Sequence, residues 1–205
     1  MTVEQRDADT SPVIVVDDRP PLAIIRLNRP AERNPLSITT LERLESVVSS
    51  LTSRLDIQAI IFTGTDDVFA SGANIRELRK LTPASALELA RRGQMLFQKI
   101  SDARQLTIAA INGYCMGGGL DLALSCDLRY ASPGAVFAHP GARLGIITGW
   151  GGTQRLPRLI GMSRALEILL TGCRVNGKEA LEIGLVNHVG DPVLDYSCQV
   201  VSKLF

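Results

Sequence analysis

The chain is poor in the residues that metal and redox chemistry use. Among its 205 residues are four cysteines, Cys115, Cys126, Cys173 and Cys198, and two histidines, His139 and His188. No two cysteines form a CxxC pair, and neither histidine stands beside one. That spacing excludes a zinc finger or a disulfide framework and fits reduced thiols, so no metal and a cytoplasmic location are expected. Charge of one sign is lacking too: 22 Lys and Arg against 21 Asp and Glu leave a net +1. No broad field draws such a chain to nucleic acid or lipid, so an anionic ligand has to be caught by local groups. No apolar run approaches the roughly 18 residues of a membrane-spanning helix. Residues 1–11 are polar and acidic, without the charged-then-apolar order of a signal peptide, and are expected to form a flexible tail.

Hydrophobic residues make up 45% of the chain and charged residues 21%, an ordinary globular balance at a length that suits one domain. Residues 12–191 read as that domain, and residues 192–205 as a short helical remnant. Two aliphatic runs, 13–16 and 22–27, flank Asp17-Asp18-Arg19-Pro20-Pro21 and read as a hairpin. Residues 28–35, with two prolines, read as a loop. From Ser37 on, Leu41, Leu44, Val48, Leu51 and Leu55 recur at helical spacing, with Thr39 and Glu42 placed for a capping box. Residues 58–63 are a continuous apolar strand, as in a sheet covered on both faces. A glycine-containing turn over 64–74 leads to a short helix at 75–81, and Pro83 opens a longer one to about residue 100. Residues 107–111 read as strand, 120–126 as helix, 128–131 and 135–138 as short strands. Helices are expected at 149–161, 163–170 and 177–183, and extended chain at 185–189. Strands alternating with helices define the class as α/β.

Two strand-to-helix turns carry the chemistry. One runs Ile111-Asn112-Gly113-Tyr114-Cys115-Met116-Gly117-Gly118-Gly119-Leu120-Asp121. The other runs Phe69-Ala70-Ser71-Gly72-Ala73-Asn74-Ile75-Arg76, with Asn74 as a helix N-cap. Glycine lets bare backbone N–H groups approach a ligand closely at a helix start. Two such turns can each present one N–H to the same oxygen, with Asp121 beside it as an acid or base. The alternative is that they are tight turns letting helices pack close to strands. Neither is a dinucleotide fingerprint, because Leu122 stands where the last glycine of G-x-G-x-x-G belongs.

With both turns in view, the chain resembles the enoyl-CoA hydratase/isomerase (crotonase) family. The resemblance rests on Leu27-Asn28-Arg29-Pro30, the two turns, Cys126-Asp127-Leu128, and Gly149-Trp150-Gly151-Gly152-Thr153-Gln154-Arg155-Leu156-Pro157-Arg158. Leu170-Thr171-Gly172, Ala180 and Gly184-Leu185-Val186 follow in the expected order. It implies a spiral of repeated ββα units, from which this chain is expected to depart by a shortened C-terminal helical region, and a homotrimer or dimer of trimers. The implied ligand is an acyl-CoA thioester, with coenzyme A part of the substrate and no separate cofactor. It also implies that the Ala73 and Gly118 amides hold the thioester oxygen, with Ser71, Gly72 and Gly117 shaping the binding turns.

Asp121 matches the first of two glutamates that hydratases of this family use, one methylene shorter. Gly141 occupies the second position; without a side chain it is expected to widen the pocket. His139, two residues away, reads either as a satisfied loop residue or as a substitute acid or base. Trp150 reads either as core or as a wall of the acyl pocket. Arg76, Arg29 and Arg33 are the candidate contacts to the CoA phosphates. The implied reaction is addition of water to a 2-enoyl-CoA. An isomerase, decarboxylase or thioester hydrolase, and a non-catalytic acyl-CoA-binding protein, are the alternatives.

Overall fold

The structure, a computed structural model, describes residues 11–205, so the expected tail lies outside the described residues apart from Ser11. Strands β1 (Ile14–Arg19) and β2 (Leu22–Leu27) pair antiparallel, with Ile14 opposite Leu27 and Arg19 opposite Leu22. The hairpin turn is thus shorter than the sequence implies. Asp17 to Arg19 remain in the ladder because pairing uses backbone groups and an edge strand tolerates charge. Strand β3 (Pro35–Leu36) leads into helix α1 (Ile38–Thr52).

Helix α1 is capped by Ser37, whose hydroxyl accepts from the Thr40 amide at 3.1 Å, not by the expected Thr39–Glu42 box. Ser37 is extended (φ −68°, ψ 167°), the conformation that aims a cap at the first free amides, whereas Thr39 already lies inside the first turn. Leu41, Leu44, Val47, Val48 and Leu51 bury one face of α1. Leu55 keeps that spacing, yet lies beyond the helix and is 76% exposed.

The next elements are β4 (Ala59–Thr63), β5 (Val68–Ala70), β6 (Gly72–Ala73), α2 (Ile75–Leu78) and α3 (Pro83–Ser101). Then come β7 (Leu106–Ile111), β8 (Tyr114–Met116), α4 (Gly118–Leu124), β9 (Leu128–Ala131) and β10 (Val136–Ala138). Helices α5 (Gly152–Ile160) and α6 (Met162–Thr171), β11 (Val175–Asn176), α7 (Gly177–Glu182), β12 (His188–Val189) and α8 (Val193–Leu204) complete the chain.

One sheet runs β1-β2-β4-β7-β9-β12, a second β11-β10-β8-β5, and β3 pairs with β6. Each of β4, β7 and β9 in the first sheet is followed by a neighbour in the second, β5, β8 or β10, and then by helix. The chain therefore climbs one strand in both sheets per ββα unit, which makes the fold a spiral. Strand β4 is buried on both faces. Ile60 and Phe62 face the main core, while Ala59 and Ile61 face the smaller cluster that Val193 and Val201 of α8 close.

Cys115 and Cys126 are buried thiols, and Cys173 and Cys198 are partly exposed. Burial pushes the Cys126 thiol up to about 12, and burial, reinforced by the Asp121 charge, raises Cys115 well above the ordinary range. The fold thus favours neutral thiols that the unfolded chain ionises sooner. Their contribution to stability is present below the unfolded thiol range and lost as pH rises through it towards the folded values. A thiol reagent at mildly alkaline pH is expected to modify Cys173 and Cys198 in the native protein and all four cysteines only in denaturant. Urea midpoints should fall as pH climbs past the ordinary thiol range.

Candidate active site

The two glycine turns meet. Gly72 lies at φ +94°, in the left-handed region that favours glycine. A Cβ built on it would stand 2.8 Å from the Met116 carbonyl oxygen and 3.0 Å from the Gly118 nitrogen. One on Gly118 would lie 3.5 Å from the Ala73 nitrogen. The triple glycine is what brings α4 this close: a Cβ on Gly119 would stand 2.5 Å from the Ala70 carbonyl oxygen. As the first residue of α4, Gly118 has no intrahelical acceptor for its N–H. Asn74 caps α2 by accepting from the Arg76 amide at 3.0 Å, as its position in the sequence implies.

Gly117 and Ser71 shape the turns with their amides already committed. The Gly117 N–H donates to the Ala138 carbonyl at 2.9 Å, and the Ser71 N–H to the Arg33 carbonyl at 3.0 Å. Buried Asn34 ties this corner together, accepting from the Arg29 amide at 2.6 Å and donating to the Val68 carbonyl at 2.9 Å.

Asp121 sits in the first turn of α4 and is 1% exposed. A carboxylate so buried needs partners, and each oxygen has one. Oδ1 lies 3.0 Å from Nε2 of the equally buried His139, and Oδ2 accepts from the Thr148 hydroxyl. The start of α5 closes over the same group, since a Cβ on Gly152 would stand 2.2 Å from Asp121 Oδ1. That helix end carries partial positive charge, which suits an anion. Burial pulls the Arg155 guanidinium down from its usual range, and the Asp121 carboxylate opposes that pull. The unit is a buried carboxylate with an imidazole on one oxygen and a hydroxyl donor on the other. It can hold, accept and return a proton.

His139 therefore points at Asp121, a hydrogen-bonded position that suits both of its sequence readings, the satisfied residue and the substitute acid or base. Thr148 escaped the sequence reading, because a threonine in a glycine-rich loop carries no periodic or motif signal. Gly141 does not widen a pocket as expected. It sits in a tight turn over Pro140–Leu144, where a Cβ would stand 2.8 Å from the Ile146 carbonyl oxygen. The folded-back loop fills the space a side chain would have used.

Trp150 is 6% exposed, and its ring lies against Gly118. Arg76 is exposed on α2, and Arg33 stacks over the Tyr114 ring at 4.7 Å from its centroid. Arg29, half-buried, donates to the Asn28 carbonyl at 3.0 Å and faces Glu32 at 4.0 Å. Among the described residues, no group of three or more His, Cys, Asp and Glu could hold a metal ion. No described helix is long and apolar enough to cross a membrane.

A ββα spiral whose turns bring two glycine corners together beside a buried carboxylate defines the class of protein: an α/β fold of the crotonase type. The family model for enoyl-CoA hydratase/isomerase matches residues 19–205, and the chain belongs to that family. A short-chain-enoyl-CoA hydratase of Clostridium acetobutylicum is 36% identical over 194 residues, 93% of this chain and 74% of that protein. A crotonyl-CoA hydratase of Syntrophomonas wolfei is 39% identical over 180 residues, 87% of this chain and 69% of that protein. The crystal structure of an enoyl-CoA hydratase from Bacillus anthracis superimposes with a TM-score of 0.89 at 34% identity, covering 94% of this chain and 76% of that one. A Bacillus subtilis relative is 45% identical over 172 residues, and the chain spans 66% of its length.

Proposed function

We propose that the protein is an enoyl-CoA hydratase-type lyase, adding water to a 2-enoyl-CoA thioester in fatty-acid or related acyl-CoA metabolism. The observation that carries this is the meeting of the Gly72–Ala73 and Gly117–Gly118 corners, one helical turn from Asp121. The Ala73 and Gly118 amides donate to the thioester carbonyl oxygen. Asp121 takes a proton from water as the water oxygen bonds to the β-carbon. The π electrons move onto the carbonyl oxygen, and two amides aimed at that growing charge stabilise the enolate. Asp121 then returns the proton to the α-carbon, so one carboxylate serves both steps. To bind it, the attacking water takes the place of the Thr148 hydroxyl on Oδ2.

Arg76, exposed on the helix that follows the first corner, with Arg29 and Arg33, supplies positive charge for the CoA phosphates. No separate cofactor or metal enters the scheme. Four free thiols support a cytoplasmic location. The exposed apolar side chains of Met162, Leu166 and Leu170 on one face of α6 support a homotrimer or dimer of trimers, readable by light scattering. A panel of acyl-CoA substrates followed by mass spectrometry tests the reaction. Gain of one water by a 2-enoyl-CoA is expected. A shifted double bond, loss of carbon dioxide or release of free acid would assign another reaction to the site, and binding without any product would make the protein a non-catalytic acyl-CoA binder.

A further inference from the structure

Trp150 is the only tryptophan in the chain, and its indole bridges two elements that have given up their side chains to admit it. A Cβ on Gly93 of α3 would stand 2.3 Å from Trp150 Cδ1, and a Cβ on Gly118 2.3 Å from Cζ3. The ring nitrogen donates to the Leu89 carbonyl at 3.3 Å, and Phe97 packs edge-on with its centroid 5.8 Å away. Three anchors from α3 thus hold the ring against the residue whose amide is assigned to the thioester oxygen. An acyl chain directed from that carbonyl toward α3 would meet the indole.

A cavity of about 480 Å³ borders the ring, its lining including Trp150, Gln94, Gln98, Thr148, Arg155 and Arg158. The Arg155 guanidinium spans it, donating to the Trp150 carbonyl at 3.2 Å and to Gln98 Oε1 at 3.3 Å. A long chain running into the ring would have to evict a well-packed aromatic group, which is unfavourable.

We propose that Trp150 is the residue that sets acyl length, closing the acyl site so that it takes short-chain thioesters of butenoyl size and rejects long ones. The proposal rests on the acyl-CoA reading of the site. Its test uses saturated thioesters, which have no conjugated double bond to hydrate, so the outcome is independent of hydration. Butyryl-CoA is expected to change Trp150 fluorescence in the wild-type protein where CoA alone does not. By calorimetry, decanoyl-CoA should bind at least about tenfold more weakly than butyryl-CoA, a discrimination within reach of a pocket wall. In Trp150→Ala the preference should reverse, and Trp150→Phe should fall between, each checked for folding by circular dichroism.

Equal or tighter binding of decanoyl-CoA by the wild-type protein overturns the proposal, as does an unchanged preference in a folded Trp150→Ala or Trp150→Phe variant. The wild-type series decides the matter even where the alanine variant does not fold. Absence of binding by every thioester would sink the acyl-CoA reading itself, and the gate with it. Chain-length-independent binding would sink only the gate.

Discussion

Replacing Asp121 with asparagine should slow loss of the conjugated enoyl-thioester absorbance by about a hundred- to ten-thousandfold, the range for a lost proton-transfer group. Asparagine keeps the shape and still offers one oxygen, but it cannot accept a proton from water at neutral pH. KM for the thioester should move little, because the proposed binding groups are the backbone amides and the arginines. Asp121→Ala is the less informative variant. It also strands His139, buried at 3% exposure, and an unsatisfied buried group costs about 1–3 kcal/mol of stability. Turnover by Asp121→Asn equal to wild type would remove the carboxylate from the mechanism. A matching loss in kcat and in thermal midpoint would make its role structural.

The second large effect is expected at Gly72. Its φ of +94° is a conformation that alanine rarely adopts, a strain of about 1–3 kcal/mol. The new methyl would also press on the Met116 carbonyl and the Gly118 nitrogen and push the two corners apart. Gly72→Ala should therefore fold with a lower thermal midpoint, falling about 2–4 °C per kcal/mol lost. It should also lose turnover by about a hundred- to thousandfold, as when one oxyanion donor is misplaced. Gly134→Ala is the control, because a Cβ there meets nothing within 4 Å and the backbone is not left-handed. Retained turnover in a destabilised Gly72→Ala would show that the convergence of the corners does not matter to the chemistry.

Much of the frame is legible in one dimension because it is coded locally. The strand at 58–63 is recognisable from unbroken apolar residues, and Asn74 from its place before a helix start. The triple glycine announces a turn with close backbone approach. Sequence pattern and structure part where two local signals compete. Ser37 and Thr39 are both good caps, and only the extended backbone at Ser37 decides between them. Leu55 fits the helical spacing, but spacing cannot say where the opposing core surface ends.

The sequence by itself determined the α/β class, the family, the glycine corners and the place of Asp121 just after them, since each is written in contiguous residues or in a fixed order of motifs. The tertiary structure alone decided what surrounds Asp121. His139 and Thr148 reach Asp121 from 18 and 27 residues along the chain, the Ile146 carbonyl closes the space at Gly141, and Trp150 lies over Gly118. Such contacts join segments with no common period, and they exist only once the spiral has stacked one ββα unit on the next. No spacing rule carries them, because they depend on how loops and helices fold back in three dimensions.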